Sequence, residues 1–409
     1  MICINGYIKC KCDLRYKFNF IIKSFVSFVL VICMLISLYN PAVCANEASF
    51  EMKACWISYI DIETYLRDLS EENFVNRLNN MYDDVIDNNM NTVIVHVRAM
   101  GDAMYPSDYF PWSTYISSDR SAPAYDPLKL MVELAHEKGL RFEAWINPYR
   151  LSHNDTTTDS FKATKYYELF QRYTIEYTNS AEQTCLALDP SKEEARQLIL
   201  CGVCEVVDNY DVDGIHFDDY FYVPGMADGL SQEDKMANVN KLVYETYYNI
   251  KCLDKDCTFG ISPAGNISYT MSQGTDIETW LSNTGYVDYI MPQIYWTDNY
   301  NTDEGEYKMF SERCSEWMEY NKADVTFYVG LALYRAGEPS DTDMGWGLQD
   351  NNIATQYGIA CNMGYEGFAM FRYAWLKEEI AGAELYNFNL YMECGIVRSV
   401  GRLNAVLLK

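Results

Sequence analysis

The stretch DGIHFDDYFY, Asp213–Tyr222, decides the reading of this chain. A short apolar run, Gly214–Phe217, leads directly into two adjacent carboxylates and an aromatic cluster. That is the make-up of a buried parallel strand ending at a polar site. Side chains alternate along a strand, so His216 and Asp218 share one face. Asp219, one residue on, then points away from that face unless the strand has already ended, and is expected to orient neighbouring loops through Arg98 or Arg150. An isolated Asp-Asp dipeptide is usually a solvated turn. Its place straight after an apolar strand, among aromatic residues, makes this one a candidate site.

The same pattern recurs on both sides of that stretch. Upstream, Ser191 with Glu194 reads as a capping box ahead of Ala195, Leu198, Ile199, Gly202 and Val206, a spacing that suits a helix lying on a sheet. Asp126-Pro127 starts another helix and Lys138-Gly139 ends it. Eight strand-like runs are spaced through the chain: Ala54–Tyr59, Thr92–Val97, Arg141–Ile146, Gly214–Phe217, Thr258–Ser262, Tyr289–Tyr295, Thr326–Leu331 and Gly367–Phe371. Strands alternating with amphipathic helices predict an α/β protein, a (β/α)8 TIM barrel forming a single catalytic domain over residues 46–409 with a short C-terminal extension. Chemistry is then expected at the carboxyl ends of the strands. The longest connections follow the second, third and fourth strands and should wall a groove.

Composition narrows the partners. The chain of 409 residues carries 32 Lys and Arg against 58 Asp and Glu, a net charge of −26. So acidic a surface repels phosphates, which excludes nucleic acid as a main partner and leaves a neutral or partly cationic polymer compatible. Residues 1–45 differ in kind: Lys9, Lys11, Arg15, Lys17 and Lys23 precede the apolar run Phe25–Leu38 and Ala42-Val43-Cys44-Ala45. This reads as a secretory signal cleaved after Ala45, or as an uncleaved anchor if Phe18–Ile22 lengthens the run, and it implies a secreted or cell-surface location. An uncleaved leader would be the protein's sole tie to a membrane. Of the 14 cysteines, nine lie beyond the leader, an odd number that forms no disulfide framework, although Cys252 and Cys257 flank a short loop and could be bridged. Cys201 and Cys204 read as buried helix cysteines, since no second such pair or nearby His completes a zinc set. With four histidines in the chain, no metal centre and no cofactor are expected.

Polar and aromatic residues gather at the strand ends: Trp56 and Asp61, Arg98 and Asp102, Trp145 with Asn147 and Arg150, Asp218 and Asp219, and Gln293 with Tyr295 and Trp296. Aromatic residues make up 15% of the chain, and their faces suit the apolar faces of sugars while polar neighbours hold hydroxyls. Glycoside hydrolysis needs two carboxyl groups, one acting as nucleophile or base and the other, with a raised pKa, as acid. Asp218 leads for the first role. Asp219, Glu143 and Asp298 are candidates for the second.

The segments KACWISYID, VHVRAMGDAMYPSDYFPWS, YDPLKLMVELAHEKGLRFEAWINPYR, YDVDGIHFDDYFY, FGISPAGN and VDYIMPQIYW, in that order between about Lys53 and Tyr373, resemble the glycosyl hydrolase-like 10 family. The resemblance implies a (β/α)8 barrel outside the cytoplasm that acts on glycans, with bacterial cell-wall peptidoglycan strands as the substrate class. It carries onto Arg98, Asp102, Asn147, Arg150, Asp218, Asp219, Gln293 and Tyr295. Trp145, His216 and Trp296 join them as substrate-binding candidates from their strand-end positions. Glu143 stands where many relatives have His, and Ala264 replaces an aromatic residue after Ser-Pro. The fourth-strand segment is also similar to that of chitinase-type hydrolases, but Tyr220 occupies the place of their acidic Glu, which argues against substrate-assisted catalysis of that kind. The expected function is a glycoside hydrolase; a non-catalytic glycan-binding barrel is the alternative.

Overall fold

The computed structural model describes residues 51–394 other than Asp228 and Pro339. The leader, Cys44 and the far end of the C-terminal extension lie outside the described residues. Eight parallel strands form the core: β1 Met52–Ile57, β2 Thr92–Arg98, β3 Arg141–Ile146, β4 Gly214–Phe217, β5 Thr258–Ile261, β6 Tyr289–Ile290, β7 split into Thr326–Phe327 and Val329–Leu331, and β8 Gly367–Met370. Each pairs in parallel with its sequence neighbour, and β1 pairs with β8. The first half of β7 pairs with β6 and the second with β8, so the ring closes through one strand broken at Tyr328. Beyond the short β6, Gln293 bridges to Ala264 and to Gly330 and carries the closure upward.

Outward-facing side chains such as Val93, Val95, Ile215 and Phe259 pack against the surrounding helices in one large core. Inward-facing Met52, Ala54, Trp56, Ile94, Trp145, Tyr289, Met291, Tyr328 and Ala369 form a second, smaller one inside the ring. The lumen is therefore a packed plug, as closure of a barrel at eight strands requires. Two glycines make room for it. A Cβ on Gly214 would lie 2.1 Å from Glu143 Oε2, and one on Gly260 would lie 2.0 Å from the Tyr289 ring.

Asp126 caps the helix Pro127–Glu137 by accepting from Lys129 N at 3.2 Å, and Gly139 follows it at φ +74°. The expected box at Ser191 does not form: Lys192 is the N-cap of Glu193–Asn209, and the Ser191 hydroxyl donates to Asp189 instead. β1 stops two residues early because Ser58 caps a helix, Tyr59–Tyr65, whose Asp61 accepts from Ser58 N and Oγ. The long third connection carries an antiparallel hairpin, Thr174–Thr178 with Thr184–Leu188. That hairpin grips the segment after β3: Leu151 N donates to Leu186 O, and Leu188 N to Tyr149 O. Cys252 and Cys257 are both free thiols, Cys252 exposed and Cys257 buried. No described helix is long and apolar enough to cross a membrane.

Candidate active site

The lumen is layered, and the layers decide which polar residues can meet a substrate. At the bottom Glu143 is fully buried, bonded to Arg141 Nε and Thr258 Oγ1 at 3.0 Å each and to the Tyr289 hydroxyl at 3.3 Å. It stands level with Gly214, four residues before Asp218, which is about 13 Å of strand. Glu143 is thus no candidate for the acid: it pairs with Arg141 far below the strand ends. One layer up, His216 Nδ1 meets the Tyr289 hydroxyl at 2.8 Å and Nε2 meets Ser262 Oγ at 2.9 Å. Burial pushes its pKa down to about 3, so the ring is neutral and braces the floor without reaching the cleft.

Asp218 tops the stack, on the inward face that alternation assigns it. Its Oδ2 accepts from Trp145 Nε1 at 3.3 Å and Asn147 Nδ2 at 3.2 Å, and its Oδ1 from Tyr220 N at 3.3 Å. Only 3% of the residue is exposed. Burial first, and then the charge of Asp219, push its carboxyl up to about 7, against the pull of the Arg150 guanidinium. Burial likewise raises Asp219 to about 6. β4 ends at Phe217, so strand alternation no longer governs Asp219. The residue is half-buried, and its charge is felt by Tyr269 and Tyr295 as well as by Asp218. Both aspartates therefore sit close together at the carboxyl end of β4. Of the two arginines expected to partner Asp219, Arg150 pulls on its carboxyl through charge while Arg98 lies over Phe110, and no side-chain hydrogen bond ties Asp219 to a loop among the described residues.

Arg150 rises beside the pair, its guanidinium 3.6 Å above the Tyr220 ring, with its backbone bridged to Ala187 of the hairpin. Two buried polar atoms here have no protein partner: Asn147 Oδ1 and His96 Nε2. The other His96 nitrogen, Nδ1, accepts from Tyr59 N at 3.2 Å, so the unpartnered Nε2 carries the proton. Unsatisfied buried groups at a cleft floor are groups ready for a polar ligand. Trp145 stacks on His96 at 3.3 Å between centroids and, with Trp56, belongs to the lumen plug; neither is an open platform. The exposed rings at the mouth are Tyr220 and Tyr269, and the sequence reading passed over Tyr269, which has no motif to mark it.

The remaining strand-end residues divide. Gln293 donates through Nε2 to Ser262 O at 2.8 Å, and Tyr295 packs on Tyr334 and Phe371 above the lumen. Trp296 packs at the edge of the outer core while its carbonyl takes a hydrogen bond from Gln356. Arg98 is not in the cleft. A register shift between His96 and Arg98 turns it to the outside of the ring, where it lies over Phe110 at 4.3 Å and against Gly202 of the helix Glu193–Asn209. Burial there lowers its pKa to about 10. Asp102 sits in the following loop with Arg120 at 3.6 Å, and Asp298 holds Ser311 through both N and Oγ at the start of a helix. Burial raises the Asp102 carboxyl and leaves its Oδ1 without a hydrogen-bond partner, whereas Asp298 is held by Ser311. Arg372, absent from the sequence reading, ion-pairs with Asp61 under the mouth.

A closed ring of eight parallel strands with helices around it and polar side chains gathered at its C-terminal face defines a (β/α)8 barrel. The chain belongs to the glycosyl hydrolase-like 10 family, which it matches over residues 51–348. It is 31% identical over 356 residues to the glycosyl hydrolase YngK of Bacillus subtilis (strain 168), an alignment covering 78% of this chain and 68% of that protein. Against the glycosyl hydrolase DigH of Escherichia coli (strain K12) it is 30% identical over 294 residues, 63% of this chain and 65% of that one, so it spans just under two thirds of that relative. In fold it is similar to the PgaB (BpsB) glycoside hydrolase domain of Bordetella bronchiseptica, with a TM-score of 0.55, 12% identity and coverage of 82% of this chain and 98% of that one. The catalytic domain of a Paenibacillus polymyxa β-amylase is comparable, with a TM-score of 0.53, 11% identity and coverage of 84% and 98%.

Proposed function

We propose that this protein hydrolyses O-glycosyl bonds of a polysaccharide outside the cytoplasm, with bacterial cell-wall glycan strands as the substrate class. The observation that carries the reading is the Asp218–Asp219 pair at the carboxyl end of the fourth strand, beside the exposed rings of Tyr220 and Tyr269, with both carboxyls raised toward neutrality. Two neighbouring buried carboxylates do not readily ionise together, so the pair holds one proton near pH 6–7. One member can then donate to a leaving oxygen while the other stays an anion. Arg150 and the unpartnered Asn147 Oδ1 and His96 Nε2 supply contacts for hydroxyl or anionic substituents. Family membership and the two curated relatives, both glycosyl hydrolases, support the reaction class. The resemblance supports the cell-wall substrate, and the leader-like N-terminus the location.

The test is incubation with peptide-free cell-wall glycan strands and detection of new reducing ends by mass spectrometry. Asp218→Asn is expected to lower turnover by about 10³-fold or more while leaving binding of the strands intact. Tight binding by the wild type with no new reducing end would instead make the protein a glycan-binding barrel.

A further inference from the structure

Arg98 lies outside the ring, yet it is an expensive residue to keep there. It is 1% exposed, packed between Phe110 and the helix Glu193–Asn209, and its Nε and Nη1 have no hydrogen-bond partner among the described residues. A buried guanidinium with idle donors destabilises a fold, and an apolar side chain of similar length would sit there as well or better. The helix nevertheless makes room for it: a Cβ on Gly202 would lie 2.5 Å from Nη1. The Tyr105 hydroxyl and the Glu205 and Asp102 carboxyls face it, and with a pKa of about 10 it stays charged.

What Arg98 does hold is the chain leaving β3. Its carbonyl accepts from the Asn147 amide at 2.8 Å, and its Nη2 donates to Pro148 O at 3.3 Å. Pro148 has no N–H, so the segment has no donor of its own with which to extend the ladder at this point. The hairpin takes hold one residue later, where Leu188 N donates to Tyr149 O. Arg98 spans that gap. The residues on either side of Pro148 are those that reach the aspartates: Asn147 Nδ2 donates to Asp218 Oδ2 at 3.2 Å, and the Arg150 charge acts on both carboxyls. We infer that Arg98 is a positioning residue, which from outside the barrel holds the Asn147–Arg150 segment where Asn147 orients Asp218 and Arg150 faces the aspartate pair. Its effect on turnover rests on the glycoside hydrolase reading above.

The groups that face the pair set the sign. Asp219 raises Asp218 and Arg150 lowers both, while Tyr269 and Tyr295 face Asp219. Arg150 itself is faced by Tyr59 and Tyr220, and its charge helps to keep His96 and His153 neutral. If the segment loosens, Asp218 loses part of the pull of Arg150 and the bond from Asn147. Both favour its anion, so its titration moves up.

The test compares the wild type with Arg98→Met and Arg98→Lys. Carbon-13 NMR of labelled aspartate carboxyls follows Asp218, its signal assigned with Asp218→Asn, and kcat and KM are measured on peptide-free cell-wall glycan strands. Arg98→Met is expected to fold with a Tm close to that of the wild type and to raise the Asp218 midpoint by about half a unit to one unit. It should lower kcat by about 10- to 100-fold and leave KM within about twofold. Arg98→Lys, which keeps a donor for Pro148 O, should recover most of both losses. An Asp218 midpoint that stays put in Arg98→Met, a rise in KM at unchanged kcat, or a lysine variant no better than the methionine one overturns the inference. Loss of folding in Arg98→Met overturns it too, since the guanidinium would then serve the fold. If the wild type leaves the strands uncut, the hydrolase reading falls, and the titration still decides the role of Arg98.

Discussion

At the scale of the residue, the lumen separates carboxyls that look equivalent in the sequence. Asp218 is raised to about 7 because it is dry and shares its loop with Asp219; burial raises Glu143 as well, but there the Arg141 guanidinium that bonds it pulls the other way. The sign of the pH effect follows. A carboxyl raised in the folded state is protonated there while the unfolded chain has already ionised, so stability falls as pH rises from about 4 to about 7 and is level above. Asp218→Asn removes that penalty. The variant is expected to be more stable than the wild type at pH 8 by on the order of 1–3 kcal/mol, with the difference vanishing toward pH 4, as chemical denaturation at a series of pH values would read. A variant that is less stable at pH 8 would show that the folded protein gains more from the Asp218 anion than burial costs it. Glu143→Gln should do the opposite: it leaves Arg141 with a weaker partner in the plug and lowers stability by about 1–3 kcal/mol. Turnover per folded molecule should be unchanged, and a loss of turnover at full folding would return Glu143 to the mechanism.

At the scale of the element, strand ends and bulges aim the side chains. One register shift in β2 sends Arg98 outward, and the stop of β4 at Phe217 lets Asp219 stay with Asp218. The hairpin after β3 pins the backbone that presents Arg150. Within β5, Gly260 is set by the bulk of Tyr289 opposite, which in turn bonds His216 and Glu143. Gly260→Ala forces a contact far inside van der Waals distance against a ring that cannot swing away. It is expected to cost about 1–3 kcal/mol or more and to lower Tm clearly in calorimetry. Gly382→Ala, with open space around its Cβ, should barely move it. Equal Tm values for the two variants would contradict the packed-plug account of the lumen.

At the scale of the whole molecule, the barrel closes because β7 breaks at Tyr328 and gives one half to each neighbour. Its net charge of −26 acts at a distance from the site. Glycan strands that bear carboxylates are repelled by such a surface, and added salt screens the repulsion as the Debye length falls from ~30 Å at 0.01 M to ~8 Å at 0.15 M. For carboxylated strands kcat/KM is therefore expected to rise several-fold over that range, and for uncharged oligosaccharides to stay flat. A fall with salt on the carboxylated strands would mean that Arg150 and its surroundings outweigh the global field.

By itself the sequence determined the alternation of strands and helices, the eight strand positions and the inward face of Asp218, because apolar periodicity and caps are local and survive in one dimension. It placed Asn147 and Arg150 at this end of the barrel as well, through their position after β3, whereas Trp145, expected to bind substrate, packs into the plug and reaches the site through its Nε1 bond to Asp218. Only the tertiary structure decided that Arg98 faces out, that Asp102 lies beside Arg120 and Asp298 holds Ser311, that Glu143 and His216 lie below the strand ends, and that Asp219 stays beside Asp218. Those outcomes depend on a bulge, on where a strand stops and on partners tens to hundreds of residues away, such as Tyr289 for Glu143 or Arg372 for Asp61. A period of two carries no record of any of them: past the last ladder hydrogen bond, the direction of a side chain is set by non-local packing.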